Sequence, residues 1–140
     1  MKPALAAKSR SRQFLVQALY QAQLTDESYV GVIEPFVAEH NMKRADLPYF
    51  REVLTGIDEQ QSALFAMIEK SGDRALDELD PIEKGILLMA AYELQSRIEV
   101  PYRVVINEAV ELAKSFGGTD SFKYINSVLD GLAKELRPNG

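Results

Sequence analysis

An all-α fold is predicted by three observations. Apolar residues recur at helical spacing through most of the chain, and no stretch alternates in the two-residue rhythm of a strand bounded by turn signals. The Asn-Gly dipeptide that would mark a hairpin occurs only at the chain end, Asn139-Gly140. Helix start and stop residues stand at short intervals between the periodic segments. The 140 residues suit one domain with one core. The reading is about seven helices in a single all-helical domain over 9–136, led by a basic N-terminal arm over 1–12 and followed by a tail over 137–140.

The first helix is expected from about Ser9 to Leu24, with Leu15, Ala18, Leu19 and Ala22 on one face. Thr25-Asp26 offers a cap for a second, about Tyr29 to Glu39, in which Pro35 should force a kink unless it lies in the first turn. Asp46-Leu47-Pro48 opens the third, with Asp46 as cap and Pro48 in the first turn. Its stripe runs from Tyr49 and Phe50 through Ile57, Leu64 and Ile68 to about Lys70, where Gly72 ends it. A short turn is expected at Ala75–Leu79.

Asp80-Pro81-Ile82-Glu83 is the strongest start signal: a cap, a proline at the first helical position, and a glutamate spaced to reach back as in a capping box. The helix that follows, to about Ser96, is apolar almost all round and should be the buried centre of the fold. Val100-Pro101 separates it from the next helix, which carries Val105, Ala109, Leu112 and Phe116 as one stripe. Gly117-Gly118 should close that helix with a left-handed residue. The last helix, Asp120 to about Leu136, turns Ile125, Val128, Leu129 and Leu132 inward.

Composition narrows the function. With 46 % hydrophobic and 26 % charged residues the chain is of ordinary globular type. No apolar run is long enough to span a bilayer, and the N-terminus lacks the apolar segment of a signal peptide, so a cytoplasmic location without membrane contact is expected. With no cysteine, thiolate metal sites and cysteine nucleophiles are ruled out, and His40 is the lone histidine, so no metal site is expected. Nucleotide loops, nucleophile elbows and zinc-protease signatures are missing, and a Ser-His-Asp arrangement would have only His40 for its base. No enzymatic activity and no cofactor are expected.

Charge is unevenly placed. Residues 1–12 hold Lys2, Lys8, Arg10 and Arg12 and no acid, so the net −5 of the chain leaves the other 128 residues at −9, with 12 basic against 21 acidic side chains. A basic arm on an acidic body suits local contact with phosphate, and arginine can both fork onto phosphate and stack on bases. A plain solvated N-terminus accounts for the same residues. The joint Phe116-Gly-Gly-Thr-Asp120-Ser-Phe122-Lys123-Tyr124 gathers aromatic faces for unpaired bases, a carboxylate for base amino groups, and backbone N–H groups at a helix start. Equally, Phe116 continues a core stripe, Asp120 can cap, and Phe122 and Tyr124 can fill the bundle's edge. Tyr20 reads locally as the rim of an apolar stripe and Glu83 as a capping residue. Asn107 and Asn126 lie beside apolar residues and are expected to fix helix packing through buried amide hydrogen bonds.

Eight segments, in order along nearly the whole chain, carry a further signal: Val16–Tyr20 (VQALY), Tyr49–Glu52 (YFRE), Glu83-Lys84, Tyr92–Leu94 (YEL), Val100–Tyr102 (VPY), Ile106–Ala109 (INEA), Glu111–Gly117 (ELAKSFG) and Tyr124–Asp130 (YINSVLD). Together they resemble the NusB family of bacterial transcription antitermination factors. That resemblance implies two three-helix bundles packed together and an adaptor rather than an enzyme. It implies binding to boxA RNA together with NusE, a small-subunit ribosomal protein. Other Nus factors and RNA polymerase would join indirectly, notably during ribosomal RNA transcription. A monomer or weak homodimer is expected. By position Lys8, Arg10 and Arg12 match the family's arginine-rich arm, and Phe116, Asp120 and Tyr124 match positions tied to RNA. Lys2, Phe122 and Lys123 complete the candidate RNA set, and Tyr20 and Glu83 match positions tied to NusE. The arm here, Ala-Ala-Lys-Ser-Arg-Ser-Arg-Gln, is thinner than a dense arginine run, so fewer counterions would be released and RNA binding should lean on NusE. Two rivals stand beside this reading. One is a non-catalytic accessory to ribosomal RNA modification, since a related domain precedes a cytosine methyltransferase. The other is a helical scaffold that never touches RNA.

Overall fold

The computed structural model describes residues 2–140. Among them, seven α-helices and one 3-10 turn account for the regular structure: α1 (Pro3–Thr25), α2 (Ile33–Glu39), α3 (Leu47–Glu59), α4 (Gln61–Ser71), the turn Leu76–Glu78, α5 (Pro81–Ser96), α6 (Tyr102–Phe116) and α7 (Ser121–Leu136). The all-helical expectation holds.

The boundaries differ from expectation in three instructive places. α1 starts at Pro3, six residues before Ser9, because Pro3 is preset for the first helical position and Ala4, Leu5, Ala6 and Ala7 offer no break. Much of the expected arm is therefore helix. α2 starts later, at Ile33, which puts Pro35 in its first turn and removes any kink. Asp26, expected as its cap, instead ends α1 in the left-handed region at φ 57°. The single long helix expected from Asp46 to Lys70 is two: Gln60 leaves helical geometry at φ −114°, ψ 19°, and α4 turns away to pack on α5 and α7.

The caps expected at Asp46 and Asp80 are present. Asp46 accepts the Tyr49 N–H at 3.1 Å and Asp80 the Glu83 N–H at 2.8 Å, each worth about 1 kcal/mol. α5 is buried from Gly85 through Leu94. It packs against α1, α3, α4, α6 and α7, and so joins an N-terminal half (α1–α3) to a C-terminal half in which α4 lies beside α5–α7. Phe36, Phe50, Leu54, Ile57, Leu87 and Leu88 are among the fully buried side chains between the layers. α3 crosses α5 closely at Gly56, where a Cβ would stand 2.1 Å from Cε1 of Tyr92. Arg137, expected as the start of a tail, belongs to the fold: its guanidinium donates to the carbonyls of Glu93, Leu94, Arg97 and Val100 at the C-terminal end of α5 and in the connection beyond it.

Candidate RNA and partner interface

Starting α1 at Pro3 decides where each arm cation goes. Lys8 and Arg12 are one helical turn apart and share a face directed at Tyr49, whose ring centroid lies 5.7 Å from Lys8 Nζ and 5.6 Å from Arg12 Cζ. Arg12 is 3 % exposed. Its Nε and Nη2 donate to the two carboxylate oxygens of Glu93 at 2.8 and 2.9 Å, and Nη1 donates to Glu108 at 3.0 Å. Burial opposes its charge, but the hydrogen bonds and charge of Glu93, with Tyr49 and Glu108 behind, hold its pKa above the ordinary arginine range. The expectation that Arg12 contacts RNA is thereby corrected: its donors face carboxylates inside the protein, where phosphate has no access. Lys2 is exposed, Lys8 and Arg10 are half-buried, and none of the three has a carboxylate partner among the described residues.

The α6–α7 joint is built differently from the expectation. Gly117 is extended (φ −88°, ψ 176°) rather than left-handed. It is needed for space, since a Cβ there would lie 2.7 Å from the Ala113 carbonyl oxygen. Asp120 is the left-handed residue, at φ 66°, and its side chain caps nothing. It points outward to Lys123, 3.2 Å from Nζ, with both side chains about two-thirds exposed (65 % and 67 %). Ser121 is buried and donates to Glu83 Oε2 at 2.6 Å. Glu83 is thus an internal carboxylate, 8 % exposed, that ties α5 to the joint. Neither the capping-box reach nor a freely exposed partner contact describes it.

The aromatics of the joint divide. Phe116 is 38 % exposed. Phe122 is half-buried under Lys114, whose Nζ lies 5.1 Å from the ring. Tyr124 is half-buried, with Arg74 Cζ 4.1 Å over its ring. Its hydroxyl is buried without a hydrogen-bond partner, and burial pushes its pKa up. Asn107 and Asn126 are exposed, so the buried-amide role expected for them is corrected: each falls on the outer face of its helix.

Tyr20, also 38 % exposed, does not stand apart from the joint. It lines one groove with Phe116, Ile82, Phe36, His40 and Gln17, of about 380 Å³. At its floor the His40 ring stacks on Phe36 with centroids 3.8 Å apart and planes 13° from parallel, and Phe14 meets both edge-on. Phe116, matched to RNA, and Tyr20, matched to NusE, therefore share an edge. Sequence reasoning missed His40 as a groove residue, since a single histidine in a polar stretch suggested only a failed metal ligand. It also missed Arg74, which no local pattern connects with Tyr124. Among the described residues, no group of three or more His, Asp or Glu side chains is arranged to hold a metal ion, and no helix is long and apolar enough to cross a membrane.

The outward features of this all-helical body are unpaired cations, exposed aromatics and a shallow groove. The sequence model of the NusB family matches residues 9–134. The chain is 47 % identical over 139 residues to the transcription antitermination protein NusB of Escherichia coli O139:H28, covering 99 % of each chain. It is 45 % identical over 137 residues to that of Hahella chejuensis, covering 98 % of this chain and 92 % of the relative. Its structure is similar to that of T. maritima NusB, with a TM-score of 0.81 and 30 % identity over 91 % of this chain and 90 % of that one. The chain belongs to the NusB family.

Proposed function

We propose that this protein is a transcription antitermination factor that binds boxA-type RNA together with NusE and helps assemble an antitermination complex on RNA polymerase. The observation that carries the reading is the groove shared by the exposed aromatics Tyr20 and Phe116, together with the cations Lys2, Lys8 and Arg10, which have no carboxylate partner among the described residues, and the exposed Asp120 and Lys123 of the α6–α7 joint. Cations would position the strand through its phosphates, while exposed aromatics and the Asp120 carboxylate would engage unpaired bases. Tyr20 would meet NusE at the rim of the same groove. Glu83 would act from beneath by holding Ser121, and so the joint, in place. Two modest contacts tethered to one RNA raise each other's effective concentration. No step of covalent chemistry enters this mechanism.

The test is fluorescence anisotropy of labelled boxA RNA and a scrambled control, titrated with and without NusE at two salt concentrations. Selective binding that NusE strengthens is expected. Equal binding to both RNAs, or none with NusE present, would reduce the function to that of a helical interaction module.

A further inference from the structure

A second cleft opens farther toward the N-terminus along α1, between that helix and the connection from α2 to α3. Arg10, Gln13 and Phe14 line it from α1, and Asn41, Arg44 and Ala45 from the connection, around about 240 Å³. Arg10 and Arg44 come from segments 34 positions apart in sequence, yet they face one cleft, and neither has a carboxylate partner among the described residues. Arg12, Arg51 and Arg97, by contrast, are each paired with a carboxylate. Two unpaired guanidinium groups turned to one space repel each other, so an anion between them is favoured.

The cleft is held in shape from below. Ser11, fully buried, donates to the Asp46 carbonyl at 2.9 Å and accepts the Asp46 N–H at 2.8 Å. This fixes the end of the connection to α1 one residue from Arg10. Asn41, which lines the cleft, uses its carbonyl oxygen for the Lys43 N–H at 3.1 Å, and its amide donors are free for a ligand. Phe14 forms one wall and then meets His40 edge-on at 5.9 Å, which is the floor of the Tyr20–Phe116 groove. The two clefts are therefore successive stations on one path.

We infer that this cleft is a second subsite for the single-stranded RNA, in which Arg10 and Arg44 hold backbone phosphates while Phe14, Gln13 and Asn41 receive one unpaired base. The inference rests on the RNA-binding reading above and extends it to residues outside the N-terminal arm. It also offsets the thinness of that arm, because Arg44 supplies from another helix connection the charge that Arg12 spends on Glu93.

The test uses the full chain with NusE and two labelled RNAs: a boxA-type core, and the same core extended by several unpaired nucleotides. The variants are Arg44→Gln, Arg44→Lys, and the exposed, unpartnered Lys134→Gln on α7 as a control for net charge. Neutralising one phosphate fewer on a single strand should flatten the log–log salt dependence by about 0.7 and weaken binding about fivefold at about 0.1 M salt. That weakening is expected for Arg44→Gln on the extended RNA, with Arg44→Lys keeping the slope but not the full affinity. Inorganic phosphate at matched ionic strength should not compete; displacement of the RNA extension by phosphate alone would make the cleft a free-anion site and overturn the proposal. So would wild-type affinity and slope for Arg44→Gln while the unmodified protein still selects boxA. If the unmodified protein binds neither RNA, the broader RNA-binding reading falls and this subsite with it.

Discussion

Arg12 on α1 and Glu93 on α5 are joined by two parallel hydrogen bonds, Nε to Oε1 at 2.8 Å and Nη2 to Oε2 at 2.9 Å, with both side chains almost fully buried. The pair ties the N-terminal half to the central helix, and Glu108 on α6 joins it through Arg12 and through the Ser9 hydroxyl. Removing one partner leaves the other charge buried and uncompensated, which typically costs about 3–5 kcal/mol. Arg12→Ala and Glu93→Ala should each destabilise the fold by about that much, and the double variant by less than their sum. Urea unfolding of the four proteins measures the coupling. A cost under about 1 kcal/mol for Arg12→Ala would mean that the guanidinium is free to leave the pair.

Arg137 closes the far end of the same central helix. Its guanidinium donates to the carbonyls of Glu93, Leu94 and Arg97, each at 3.0 Å; those of Glu93 and Arg97 also accept the backbone N–H groups of Arg97 and Val100. Charged donors to such groups contribute about 1.5–3 kcal/mol apiece at most, and one side chain makes all of them together. Arg137→Ala should lower stability by about 2–4 kcal/mol, and Arg137→Lys should recover only part, because an ammonium cannot span the same fork. Truncation after Leu136 should match Arg137→Ala. Thermal unfolding followed by circular dichroism compares the three.

Both arginines mark where sequence reading stops. The periodicity of α5, α6 and α7 and the Asp46 and Asp80 caps were legible because they are local: apolar spacing and a short polar side chain near its own backbone determine them. The break at Gln60 was not, since no glycine or proline marks it and the cause is the packing of α4 on α7. Arg12 was read as an arm cation because its partners lie 81 and 96 positions away. The same distance hid the shared groove of Tyr20 and Phe116 and the meeting of Arg10 with Arg44 across one cleft. Glu83 sat in the pattern of a capping box, yet its carboxylate goes to Ser121, 38 positions on. Sequence spacing identifies which residues can reach their neighbours along a helix, and tertiary packing decides which of them face solvent.

Tyr92 sets the alkaline limit. Burial first, and then the hydrogen bond it donates to Glu52 Oε2 at 3.0 Å, push its pKa up to about 12. In the unfolded chain a tyrosine ionises near about pH 10. Between those values the unfolded state loses a proton that the native state keeps, so the stabilisation is complete below about pH 10 and declines toward about pH 12. Tyr92→Phe should flatten the fall in denaturation midpoint across that window. Ultraviolet absorbance of tyrosinate should show one residue fewer ionising late. An unchanged pH dependence would assign the alkaline loss to Tyr49, Tyr29 and Tyr124, which burial also holds above the ordinary tyrosine range.

Asp120 offers the sharpest separation of backbone from side chain at the joint. At φ 66° it occupies the left-handed region, which costs a residue with a Cβ about 1–2 kcal/mol unless its side chain offers local compensation. It makes no cap hydrogen bond, and its exposed contact with Lys123 contributes little. Asp120→Gly should therefore leave the fold as stable as the parent or up to about 1 kcal/mol more stable, while Asp120→Ala should be less stable than Asp120→Gly by about 1 kcal/mol. Both remove the carboxylate proposed to face RNA bases. If the carboxylate matters to recognition, the two variants should lose boxA selectivity equally despite their difference in stability. If backbone geometry matters instead, selectivity should follow the order of stability, with glycine retaining it and alanine losing it. Melting temperatures and anisotropy on the same two proteins distinguish these outcomes, because the glycine variant keeps the joint's conformation while taking its charge away.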